Sequence, residues 1–557
     1  MSEASTDAAS TPASASPTAT VFARKSSGLV KELGAFESFS INLISLGPGP
    51  AFGLFFTILL FVTGANLMDA VLVAALIAVP IVITYTIMAI EMPRSGGEYV
   101  YSSRLLHPYF GFVAGAARMM NVILYAAILP YWFVTFSVGP GFGAWGAITN
   151  NATFTQWGNV LSYGFPTLNN LDVVLIGEIV TIVAMALYIV LKPRLAFNLF
   201  SALLILEVLG LIVSVALLAF MGHGTFVTTV NNMMNAQGYV SPDGGTYYSD
   251  TAAYGASAWG AYGSSLTNTL LFAPLIFAFY FMFTTAPNYI AGEFRRSSRS
   301  IRLGMSVSFI LAVVFSVALV FVFEQVVGMN FLNGVVASSF YFFGGPQPMS
   351  FSPGLTSLPM LAAGGNNIAI GVIFLGSVTW YLLWIILGLY IFSRYALSFS
   401  LDRLFPRFMS TVSRTTHSPY VGIIILSAIG LVLMPFVAYY YLDLYDPFVF
   451  LLFFLPMITV SLTSLALLRL GMKNHKPLYT VAGGASFLVT AVSAYYVTTL
   501  PLLGAAAGFT SSNKETGYIA VVAILLGSAL WYAVARWYHR TYSGIDISLA
   551  FKELPPD

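Results

Sequence analysis

Apolar stretches of about twenty residues, the length at which an α-helix crosses the hydrocarbon core of a bilayer, recur twelve times along this chain. They lie near 36–62, 67–90, 109–139, 171–191, 195–221, 265–290, 303–328, 367–396, 420–440, 446–470, 478–500 and 517–537. A typical soluble protein carries about 25% charged residues, whereas here 8% of 557 residues are charged and 58% are hydrophobic. The chain therefore reads as an all-α polytopic membrane protein with twelve transmembrane helices. Orientation follows from the basic residues: 21 of the 23 fall on one side, with Arg118 and Lys514 the exceptions. The positive-inside rule puts that side and both termini in the cytoplasm, giving a multi-pass protein of the cell membrane. A Ser-, Thr- and Ala-rich cytoplasmic tail over 1–30 is expected to be disordered. The twelve-helix domain should fill 31–538, followed by a second cytoplasmic tail over 539–557.

The first stretch is interrupted by Ser45-Leu46-Gly47-Pro48-Gly49-Pro50. The two prolines remove backbone donors and clash with the preceding turn, and the glycines supply no rigidity, so a continuous helix is disfavoured. At mid-membrane depth such backbone is tolerated only where it is buried in protein or lines a cavity. The half-helix beyond the break would turn free N–H groups and a positive dipole end into that cavity, which suits a carboxylate. Because Pro48 and Pro50 carry no N–H, the donors left are Leu46, Gly47, Gly49 and Ala51.

The sixth stretch is interrupted as well. Pro274 and Pro287 bracket Phe277, Phe279, Tyr280, Phe281 and Phe283, followed by Thr284 and Thr285. Spans one and six are the first members of two five-span blocks, 36–221 and 265–470, with two accessory helices over 478–537. A repeat with an odd number of spans must lie inverted relative to its copy. That is the plan of secondary transporters, whose site sits between the two discontinuous helices. The connections 139–170, 222–264 and 330–366 are long and nearly uncharged, and are expected to hold short helices or a cap over the outer mouth. Neutral polar groups keep them soluble at any proton concentration, which suits an acidic exterior.

Other chemistries find no support. There is no cysteine, hence no disulfide, thiolate metal site or cysteine nucleophile. The five histidines fall in loops or the tail without metal-ligand spacing. No phosphate-binding Gly-Lys-Ser/Thr loop or Ser-His-Asp arrangement occurs. No enzyme activity, cofactor or metal is expected, and no basic stripe suggests nucleic acid.

At Pro93-Arg94-Ser95-Gly96-Gly97-Glu98-Tyr99, after the second span, the sequence strongly resembles the amino acid-polyamine-organocation superfamily of permeases. The resemblance includes Gly47-Pro48-Gly49, the segment Ala291-Gly292-Glu293-Phe294-Arg295-Arg296 after the sixth span, and Ser393-Arg394-Tyr395-Ala396 after the eighth. It implies five-plus-five inverted repeats, a substrate held by unwound first and sixth helices, import or exchange of amino acids, and a first cytoplasmic loop lying against the inner gate. Many members have a Phe-x-Gly-x-Glu-like pattern at the sixth-helix break. The matching positions here are Phe281, Phe283 and Thr285, so the glycine and the glutamate that couples protons in some members are absent. Relatives that use sodium take hydroxyls from the middle of the eighth helix, where Leu382 to Gly388 offers none; sodium coupling is disfavoured, with Ser377 and Thr379 close by.

An ionisable group at mid-depth is a functional hypothesis by default. By helical rise, Arg118 lies about 14 Å into span three and Glu207 roughly 18 Å into span five. The two are expected to meet or share one polar interior, as a static pair or as a switch in which protonating Glu207 releases Arg118. Trp380 and Trp384, one turn apart, would wall the cavity or face lipid.

The expected function is a secondary active transporter of neutral amino acids, proton-coupled and working by alternating access. Leu46, Gly47 and Gly49 would bind the carboxylate, and carbonyls near Ser45 and the sixth-helix break the amino group. Phe279, Phe281 and Phe283 would close over the substrate, with Tyr125, Tyr280 and Thr284 completing the pocket. An exchanger, a channel and a non-transporting sensor on the same scaffold are the alternatives.

Overall fold

The computed structural model describes residues 29, 31–499 and 514–552. The tail expected over 1–30 therefore lies, Leu29 apart, outside the described residues, as do 553–557.

The twelve spans stand where hydropathy puts them: Ala35–Phe61, Leu67–Glu91, Pro108–Thr149, Asn170–Val190, Arg194–Ala236, Leu266–Tyr289, Ser297–Val327, Asn367–Leu401, Tyr420–Tyr439, Phe448–Lys473, Pro477–Thr499 and Glu515–Tyr542. Among the described residues there is no β-strand, only two isolated bridges, Leu33 with Phe294 and Ser95 with Ile290. Span three is longer than its apolar stretch because a π-helical turn, Phe133–Val138, bends it into Gly139–Thr149. Span five is interrupted at Gly222, whose φ of 70° and ψ of 164° turn the chain before a further helical stretch.

The packing carries the signature of two equivalent five-span blocks. Span one packs on span seven and span six on span two, while span eight packs on span five and span three on span ten. Each pairing becomes the other when five is added to or subtracted from the span numbers. The long connections hold helices Ala152–Leu161, Tyr247–Trp259 and Met329–Ser339 at the end opposite the arginine-rich connections, here called the far end.

At the basic end, Gly97–Leu105 folds back from span two as a short helix packed on span three. The final turn Ile547–Lys552 follows span twelve, and its Phe551 ring lies 6.4 Å from Tyr99 and 5.1 Å from the guanidinium of Arg104.

Candidate functional site

The break in span one is one residue wide. Gly47 is left-handed, at φ 58° and ψ 68°, a conformation glycine adopts at no steric cost. It separates Ala35–Leu46 from Pro48–Ile58. Of the four donors expected there, Gly47 N–H is taken by Leu43 O at 2.8 Å and Ala51 N–H by Gly47 O at 3.1 Å, while Leu46 sits inside the first half-helix. The expected row of donors thus loses these three, because a single left-handed residue redirects the helix without unwinding it.

Proline also orphans acceptors. Pro48 cannot serve the carbonyl of Ile44, and the indole N–H of Trp384 does so at 2.6 Å. Pro50 likewise has no N–H to donate to the carbonyl of Leu46. A Cβ on Gly47 would stand 2.5 Å from Trp384 Cζ2, and Gly49 is pressed likewise on Trp380. Both tryptophans therefore face the break and not the lipid.

Span six is unwound over a longer stretch. Its helix Leu266–Phe279 runs through Pro274 without breaking, then gives way at Tyr280 to short 3-10 turns, Phe281–Phe283, Ala286–Tyr289 and Ala291–Glu293. The two breaks are stitched together. Ser45 Oγ donates to Phe283 O at 2.8 Å, and Asn42 Nδ2 donates to Thr284 Oγ1 at 3.1 Å and to Ser308 Oγ at 2.7 Å. Tyr280 is held by Ser316 and the carbonyl of Ala312, and Phe281 packs edge-on to Phe309.

A cavity of about 250 Å³ adjoins the break on its far-end side. Tyr125, Phe279, Trp380, Trp384 and Pro50 line its deeper part, and Phe340, Tyr341 and Ser352–Ser357 of the connection before span eight line its mouth. No Asp, Glu, Lys, Arg or His contributes to the wall. Of the residues expected to bind substrate, Tyr125 and Phe279 line this cavity. Ser45, Leu46, Gly47, Gly49, Tyr280, Phe281, Phe283 and Thr284 form the stitched floor and packing behind it.

Toward the basic end, three buried ion pairs close the bundle. Arg118 Nη2 lies 3.2 Å from Glu98 Oε1, whose carboxylate also accepts from the hydroxyls of Tyr85, Tyr289 and Tyr395. Arg394 grips Glu293 through Nε at 3.0 Å and Nη2 at 2.9 Å. Arg104 Nη2 lies 2.7 Å from Asp402 Oδ2, which Tyr99 also bonds at 2.6 Å.

A family model for amino acid permeases matches residues 41–542. The chain belongs to the amino acid permease family. A stretch of 108 residues is in addition 30% identical to "Uncharacterized protein 399" of Sulfolobus islandicus rod-shaped virus 1, covering 19% of this chain and 27% of that protein. That match thus spans about a quarter of the viral protein's length.

The family's Gly-Gly turn has a direct role in this permease. Gly96 at φ 108° and Gly97 at φ 45° lay the turn against Ser398 of span eight and Tyr289 of span six, bringing Glu98 inside. This corrects the expected pairing of Arg118 with Glu207. Arg118 is committed to Glu98, Thr459 and Asn121, and none of its contacts is with Glu207. The resemblance laid this loop against the inner gate, but sequence reasoning did not single out Glu98 as the partner of Arg118, although the Gly-Gly pair beside it was the available signal. Glu207 is 2% exposed and has neither an ion pair nor a hydrogen bond among the described residues. Gly210, one turn on, packs so close to span eight that a Cβ there would stand 2.7 Å from Gly376 Cα. The permease's Ser377 hydroxyl is engaged with Ser137 at 2.8 Å and Thr356 at 2.7 Å, and Thr379 with backbone carbonyls of its own helix.

Proposed function

We propose that this permease is a secondary active transporter that imports neutral amino acids with a proton, by alternating access around the cavity beside the span-one break. The single observation that carries the reading is that wall: aromatic rings and hydroxyls with no ionisable carboxylate or amine, against a discontinuous helix. Such a wall favours an apolar side chain and leaves a charged one unpaired, at a cost of several kcal/mol. The zwitterionic end would then draw on the break behind the cavity wall, Gly49 N–H serving the carboxylate and the carbonyl of Leu46, which Pro50 cannot serve, the ammonium. With the basic end taken as cytoplasmic, the buried ion pairs make the present arrangement outward-facing, and their separation is the step that would release substrate inward. The proton belongs on Glu207, a buried intramembrane carboxyl without a charge partner.

Uptake of each of the twenty amino acids into proteoliposomes, with and without an imposed pH gradient, tests this. Saturable uptake and counterflow of apolar or small neutral amino acids, accelerated by the gradient, are expected. Glu207→Gln should keep counterflow and lose gradient-driven accumulation. Uptake of none, or of cationic amino acids alone, would overturn the proposal.

A further inference from the structure

Span seven leaves one face toward the lipid. Leu303, Val307, Ile310, Val314 and Phe321 recur at spacings of three, four and seven and are each 44% to 61% exposed. Counting back along that stripe from Leu303 leads to Arg299, four residues earlier, and to Arg296 and Arg295 just before the helix begins at Ser297. Arg302 stands beside Leu303. These four arginines are exposed and surround a hollow of about 600 Å³ that is otherwise lined only by Ser297, Ser298 and Leu303. None of their side chains makes an ion pair or hydrogen bond among the described residues. This contrasts with Arg104, Arg118 and Arg394, each of which is matched to a carboxylate.

We propose that Arg295, Arg296, Arg299 and Arg302 form a binding site for the headgroup of an anionic phospholipid whose acyl chain lies along the exposed face of span seven. Guanidinium groups bind phosphate oxygens through paired, charge-assisted hydrogen bonds. Four of them without a carboxylate in the same hollow make a site for more than one negative charge. Arg295, Arg296 and Arg299 also border a neighbouring hollow toward span one, which does contain acids, Glu32 and Glu37, beside Arg194. Glu37 is occupied there, accepting from Gly34 N–H at 2.8 Å. What favours a lipid over a soluble phosphate is continuity: the hollow sits at the end of an exposed apolar stripe along which an acyl chain can lie. Basic clusters directly at a membrane surface attract anionic lipids by about 1 kcal/mol per Lys or Arg.

The test uses the full-length protein with phosphatidylcholine bilayers, with phosphatidylcholine bilayers containing phosphatidylglycerol, and with phosphatidylcholine bilayers to which pyrophosphate is added. Phosphatidylglycerol should raise the unfolding temperature and remain bound in native mass spectrometry. The double variant R299Q/R302Q should retain it about thirtyfold more weakly while unfolding as the unsubstituted protein does in phosphatidylcholine alone. A charge-matched variant at the same end, R414Q/K473Q, should behave as the unsubstituted protein. Equal retention by R299Q/R302Q, or equal loss in R414Q/K473Q, would overturn the site. Equal stabilisation by pyrophosphate would overturn the lipid assignment.

Discussion

Trp384 donates its indole N–H to the carbonyl of Ile44 at 2.6 Å, completing from span eight the hydrogen bond that Pro48 cannot make within span one. The broken helix is thus held by a side chain from the opposite repeat, and the link crosses the wall of the cavity. Trp384→Phe keeps an aromatic ring, though a smaller one, and removes the donor, leaving a buried carbonyl unsatisfied at a cost of about 1–3 kcal/mol. A lower unfolding temperature in detergent is expected, and an unchanged one would show that the bond carries no load.

Glu98 gathers Arg118 and three tyrosines in a volume closed to solvent. Glu98→Gln leaves Arg118 as an uncompensated buried charge, which costs roughly 3–5 kcal/mol, and should loosen the basic end. Because the chain has no cysteine, a single Ser398→Cys beside the Gly96 turn reports this cleanly. Thiol labelling should rise in the Glu98→Gln background and stay low without it.

Phe279 stacks on Phe453 with ring centroids 3.3 Å apart and lines the cavity. Phe279→Ala should weaken binding of an apolar substrate roughly tenfold or more, since even one methylene in such a pocket is worth about 1–3 kcal/mol. A change in KM measured by uptake checks it, with larger aromatic amino acids expected to gain relative to small ones.

The span-eight hydroxyls are already spent on Ser137, Thr356 and their own helix. Replacing external sodium with choline should therefore leave the uptake rate unchanged. A sodium-dependent rate would require a cation site elsewhere.

In the far-end connections, hydrogen bonds from Ser241 and Tyr239 hold the Asp250 carboxyl below the usual carboxylate range. A depressed folded-state value means that this contribution is fully present above the unfolded value of about 3.9 and is lost as pH falls through the folded one. Opening of Tyr247–Trp259, read as the hydrogen-exchange rate relative to the intrinsic rate at each pH, should accordingly stay flat on mild acidification and rise only under strongly acid conditions. An increase near neutrality would contradict it.

Local chemistry made several features legible without coordinates. The spans follow from hydropathy, and the break at Gly47 follows from two missing N–H groups at Pro48 and Pro50, both properties of a few consecutive residues. The unwinding of span six was legible in kind but not in extent: Pro274 is accommodated inside the helix, while the backbone departs from it only at Tyr280.

What the sequence by itself determined was the number of helices, where one of them must break and which residues could carry charge inside the lipid. Only the tertiary structure decided that Glu98 and not Glu207 meets Arg118, that Trp380 and Trp384 turn inward, and that residues 340–357 supply the cavity mouth. The physical reason is that lipid tails are as apolar as the packed interior. An apolar helix therefore does not encode in its hydropathy which face it buries, and partners are set by how the helices and re-entrant loops pack.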